Sequence, residues 1–238
     1  MSEKVEGRSF SSNTTKLLKH LDKLKVIQEK KPPQPVMAHI SIINACNLTC
    51  SFCCFANRDL SERMPTEKVK QALDSFKKIG IAGIEFTGGG EPTLHPDFPE
   101  LVKYAYDLGF SLGICTNGKI LGKKGRFDKE IISMFSWVRL GMYGFYEGYD
   151  YNLEPFEGTN TTISAAYVWD ENLDTSSNPN ITGDWSDLKK KTLSKKFQNK
   201  DNFIRMLNWV EDNEVPTRIA FNAIKDVNKR EECEKKYN

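Results

Sequence analysis

From Val36 onward the apolar positions switch between two periods. Residues 38–43 (AHISII) make the short apolar run that a buried strand requires. Thr66 to Ile79 then sets Val69, Leu73, Phe76 and Ile79 on one helical face, with Gly80 as its stop. A strand is predicted over 81–87 (IAGIEFT). After it comes a helix with a capping box at Asp97 and Glu100, an apolar stripe of Leu101, Val102, Ala105 and Leu108, and Gly109 as its end. The alternation goes on through a strand at 110–116 (FSLGICT), a short helix at 128–135, a strand at 137–142 (WVRLGM), a helix at 202–210 and a strand at 217–222 (TRIAFN). Helices of this length between strands make right-handed parallel crossovers. The predicted core is therefore α/β, a parallel sheet with helices on its outer face, in five strand–helix units.

Two stretches break the pattern. Residues 1–34 are polar with a modest stripe (Leu17, Leu18, Leu21, Leu24) that stops before Pro32, Pro33 and Pro35, which predicts an N-terminal helical arm ahead of a core at 35–238. Residues 148–200 are rich in Asn, Thr, Ser and Asp, too long for an ordinary connection, and read as either a functional lid or a disordered insertion. One apolar run inside it, ISAAYVW (163–169), is an extra strand or a hairpin.

Charge narrows the partners. Of 238 residues 34 are basic and 32 acidic, a net +2, which gives no electrostatic case for nucleic acid or a membrane surface. The opening MSEKVEGRSF holds no apolar core of a signal peptide, and no segment offers roughly eighteen apolar residues for a span, so a soluble cytoplasmic protein is expected. Sequons at Asn13, Asn47, Asn160 and Asn180 argue weakly the other way. Six cysteines could pair, but Cys46, Cys50, Cys53 and Cys54 are too crowded for a disulfide framework and point to metal ligation.

Cys46-Asn-Leu-Thr-Cys50-Ser-Phe-Cys53 directly follows the first predicted strand. Ligands of parallel α/β cores bind at the C-terminal ends of strands, where these thiols fall. Three thiolates on one loop can hold three corners of an iron–sulfur cubane and leave the fourth iron open. A structural zinc site, which needs a fourth ligand, and chance clustering are the competing readings. Cys54 and Cys115 read as packed thiols. The second strand ends in Thr87-Gly88-Gly89-Gly90-Glu91-Pro92, which can offer bare main chain to a polar group or form an ordinary turn, and the third ends in Thr116-Asn117-Gly118.

These three motifs, at the ends of three consecutive strands, resemble those of the radical S-adenosylmethionine (radical SAM) superfamily. The likeness covers about residues 36–230. It implies a partial (β/α) barrel and a [4Fe-4S] cluster on Cys46, Cys50 and Cys53. In such a site S-adenosylmethionine would chelate the open iron, with Phe52 against adenine and the main chain of Gly89, Gly90 and Glu91 at the methionine ammonium. Asn117 joins the cofactor-binding set, and Asn222 is a ribose or carboxylate partner. The resemblance also implies an oxidoreductase-type radical reaction, an electron donor such as flavodoxin or ferredoxin, and a small-molecule or protein/peptide substrate. Two departures stand out. Gly141 replaces the Ser common after Arg139, and five units where the family has six suggest a C-terminal truncation, hence a catalytically incomplete remnant or a domain completed by a partner as the alternative.

Overall fold

The computed structural model describes residues 21–32, 35–48, 50, 53, 55, 58–147, 149–169 and 200–221. Six strands run parallel in sequence order: β1 (Met37–Ile40), β2 (Gly83–Phe86), β3 (Ser111–Thr116), β4 (Phe135–Gly141), β5 (Thr162–Trp169) and β6 (Thr217–Phe221). Among the described residues five α-helices accompany them: α1 (Leu21–Gln28), α2 (Thr66–Lys78), α3 (Phe98–Asp107), α4 (Lys129–Ile132) and α5 (Lys200–Asp212). The parallel α/β partial barrel expected from the periodicity and the resemblance is the fold observed.

The sheet holds one strand more than the five units expected. Of the two readings of the apolar run inside the polar stretch, an extra strand or a hairpin, the strand is the one observed: it is β5, registered on β4 from Trp137↔Thr162 to Gly141↔Ala166 and on β6 from Ala165↔Thr217, while residues 170–199 of that stretch lie outside the described residues. The strand predicted as fifth is thus the sixth, and the missing strand that suggested an incomplete barrel is present. The residues leading into β5 also belong to the fold, since Tyr151 and Phe156 are buried in the main core.

Strand alternation decides which side chains meet the helices. Ile84 and Phe86 of β2, Leu112 and Ile114 of β3, and Val138 and Leu140 of β4 join Val69 and Leu73 of α2, Leu101, Val102 and Ala105 of α3, and Ile131 and Ile132 of α4 in one buried core. Phe86, Phe98, Phe127 and Phe135 pack edge-on there, with centroids 5.8–6.3 Å apart for the T-shaped pairs. Gly80 and Gly109 take positive φ (78° each) just past α2 and α3, the left-handed helix stop that glycine permits. The capping box is a correction: Asp97 makes no cap bond and instead accepts from Thr66 Oγ1 at 2.5 Å, while Glu100 pairs with Lys70 at 2.5 Å. Both carboxylates bind the start of α3 to α2. No helix among the described residues is long and apolar enough to cross a membrane.

Candidate functional site

The chain leaving β1 is pinned before it reaches the first cysteine. Met64 N–H donates to Ile42 O and Asn44 N–H to Glu62 O, both at 2.9 Å, with an antiparallel bridge between Ile43 and Arg63. Residues 45–61 therefore leave and return at one fixed base. Within that excursion Cys53 N–H donates to Cys50 O at 3.1 Å, which ties the main chain of the third cysteine to that of the second.

Cys46, Cys50 and Cys53 are partly exposed and rim one cavity of about 420 Å³. Its other walls are the tips of β2 and β3 (Thr87 to Glu91, Thr116, Asn117) and the inward row Cys115, Arg139, Gly141 and Ala166, with Tyr143 and Arg58 at the sides. Burial pushes the Cys46 thiol above its ordinary value, against a hydrogen bond from the Leu48 amide that lowers it. Among the described residues no three His, Cys, Asp or Glu side chains converge as a single ion requires. Three thiols of one loop that rim one cavity are, by number and softness, a donor set suited to three corners of an iron–sulfur cubane.

The glycine run serves the chain before it serves a ligand. A Cβ on Gly90 would stand 2.1 Å from Ala45 O and 2.6 Å from the Asn44 carbonyl carbon, and one on Gly89 2.5 Å from Asn44 Oδ1. Gly88 has φ +110° and faces Ser41. Gly89 N–H donates to Ser41 Oγ and Glu91 N–H to Ala45 O, each at 2.9 Å. Bare backbone here lets the tip of β2 lie against the start of the cysteine loop while still lining the cavity.

Glu91 works through its side chain as well as its backbone, which the motif did not reveal. The carboxylate is buried and accepts from Thr93 N–H (3.2 Å), Thr93 Oγ1 (2.6 Å), Thr116 Oγ1 (2.6 Å) and Asn117 N–H (2.7 Å). Burial raises this carboxyl above the usual range, and the four donors oppose the rise. It thereby fastens the tip of β2 to that of β3. Asn117 in turn donates to Asn47 Oδ1 at 2.7 Å and lies 3.8 Å from Cys46 Sγ, so it reaches the cysteine loop.

The expected residues Cys46, Cys50, Cys53, Gly89, Gly90, Glu91 and Asn117 meet at this cavity; Phe52 and Asn222, like Cys54, lie outside the described residues. Cys115 is packed, as expected, yet also lines the cavity. Its Sγ donates to buried Glu85 at 3.2 Å, and burial, then Glu85, push the thiol up to about 12. A Cβ on Gly141 would meet the Tyr143 ring at 2.8 Å, so the glycine that replaces the common Ser makes room for that aromatic ring. Alternation along β3 and β4 could have placed Cys115, Arg139 and Gly141 on the inward face; Tyr143 sits in the short 3-10 turn that follows β4 and Arg58 in an irregular segment, where no strand alternation applies.

Residues 40–145 match the family model described as the Radical SAM superfamily, the family that the three motifs resemble. Curated relatives agree. The chain is 35% identical over 104 residues to the S-adenosylmethionine-dependent nucleotide dehydratase of Selenomonas ruminantium, covering 44% of this chain and 38% of that protein. It is 29% identical over 167 residues to the Fe-coproporphyrin III synthase of Methanosarcina barkeri, covering 69% and 39%. The chain thus spans about two fifths of the length of these relatives. Among solved structures, Streptococcus suis SuiB shares the fold with a TM-score of 0.52 at 18% identity, over 93% of this chain and 48% of that one.

Proposed function

We propose that this chain is the core of a radical SAM enzyme, and the observation that carries the reading is the meeting of Cys46, Cys50 and Cys53 with the tips of β2 and β3 around one cavity. The match of residues 40–145 to the Radical SAM superfamily model supports it. Cys46, Cys50 and Cys53 would hold a [4Fe-4S] cluster. When bound, that cluster would supply the electron for reductive cleavage of S-adenosylmethionine to methionine and a 5′-deoxyadenosyl radical able to take a hydrogen atom from the substrate.

The protein's own part is placement and shielding. The main chain of Gly89 and Gly90 faces the cavity where the methionine end would bind, and Glu91 keeps the two tips in register. Asn117 offers a polar side chain to the same space, with Phe52 assigned to adenine and Asn222 to the ribose or carboxylate. Cys115, Arg139 and Tyr143 line the inward side, where a small molecule or peptide would lie. The electron donor is a protein such as flavodoxin or ferredoxin, and the compartment is the cytoplasm.

Anaerobic reconstitution tests the reading. The protein should take up about four irons, show the broad visible absorbance of a cubane and release 5′-deoxyadenosine when reduced with S-adenosylmethionine present. Cys50→Ala should lose both the iron and the product. A Cys50→Ala variant that keeps both, or native protein that carries one zinc and no iron, overturns it.

A further inference from the structure

Arg58 has no role in the scheme above, yet its guanidinium touches both ends of the cysteine loop. Nε donates to Asn44 O at 2.5 Å, just ahead of Cys46, and one terminal nitrogen donates to Phe55 O at 2.5 Å, just past Cys53. That same nitrogen points at Cys53 Sγ from 3.5 Å, within hydrogen-bond reach of sulfur. Among the described residues no carboxylate forms an ion pair with Arg58. A planar fork that clamps two carbonyls and still presents N–H to a sulfur is a use of Arg that Lys cannot reproduce.

A reduced cluster carries one more negative charge than an oxidised one, and a fixed cation with an N–H···S bond at a ligand sulfur favours the more negative state. We propose that Arg58 is a positioning residue for the cluster: it staples the cysteine loop at both ends and, through Cys53, raises the reduction potential of the cluster bound there. The inference rests on the proposed function, because it concerns the cluster that Cys46, Cys50 and Cys53 would hold.

The test is a potentiometric titration of the anaerobically reconstituted protein, reading the reduced cluster by electron paramagnetic resonance beside the iron content. At the wild-type midpoint, Arg58→Gln should keep its iron and show a roughly tenfold lower ratio of reduced to oxidised cluster, a shift of about 59 mV for one electron. Arg58→Lys, which keeps a cation without the fork, should fall between the two. An Arg58→Gln protein with full iron and the wild-type ratio overturns the proposal. Should Arg58→Gln bind no iron, Arg58→Lys decides: a lowered ratio supports the proposal, and a wild-type ratio ends it. Loss of iron from both variants also ends it, since Arg58 would then be a clamp alone. Wild-type protein that binds no cluster defeats the proposed function instead, before Arg58 comes into question.

Discussion

Glu91 has four hydrogen-bond donors around one buried carboxylate, three on Oε1 and one on Oε2. A glutamine has a single acceptor oxygen. With that oxygen toward the three donors, its amide nitrogen would face the Asn117 N–H, donor against donor. Glu91→Gln should therefore strand a buried amide at a cost of about 1–3 kcal/mol, read as a lower urea midpoint, with faster hydrogen exchange at Asn117 than in the wild type. An unchanged midpoint and exchange rate would show that the bond from Asn117 N–H contributes nothing. The sequence disclosed the cysteines because their spacing is local, and a loop of three thiols is legible wherever it folds. It did not disclose the side-chain role of Glu91, whose partner Asn117 lies 26 residues along the chain. Arg58 was hidden for another reason: it reaches back across an irregular loop, which has no periodicity to betray a direction.

Between elements, the crossing of β2's tip over the exit from β1 depends on the absence of side chains. The atoms that would meet a Cβ at Gly90 are main-chain atoms of Asn44 and Ala45, which cannot swing aside as a side chain would. Gly90→Ala should cost about 3 kcal/mol by forcing two backbones apart, and it should lower the iron taken up on reconstitution, because Ala45 precedes Cys46. Gly125 is the control. Its φ is +70° but a Cβ there meets nothing within 4 Å, so Gly125→Ala should show only the left-handed strain of about 1–2 kcal/mol and full iron uptake. Gly90 has no left-handed φ, so a loss at Gly90→Ala no larger than that at Gly125→Ala, with full iron uptake, would mean that crowding does not keep glycine at position 90. Element boundaries were largely legible: the stripe on α2 and the glycine stops after α2 and α3 stand where the pattern set them. The capping box failed because Thr66 and Lys70 on α2 outbid the helix's own amides for Asp97 and Glu100.

For the molecule as a whole, the decisive strand is the one that the sequence left open. Nothing inside ISAAYVW distinguishes an interior strand from a hairpin arm; only neighbours on both sides do, and those are β4 and β6. Ala165 is buried at the middle of β5, and its N–H donates to Pro216 O at 2.8 Å, at the entry to β6. Proline at 165 removes that donor and sets its ring against the neighbouring strand, which an interior position does not tolerate. Ala165→Pro should thus cost about 3 kcal/mol or more and should raise hydrogen exchange in β6 further than in β2, because β6 is joined to the sheet through β5 alone whereas β2 pairs on both sides. A hairpin projecting from the barrel would accept the same proline with little change in the urea midpoint and none in β6. That result would remove β5 from the sheet and return the chain to five strands, with Ala166 no longer walling the cavity opposite the cysteines.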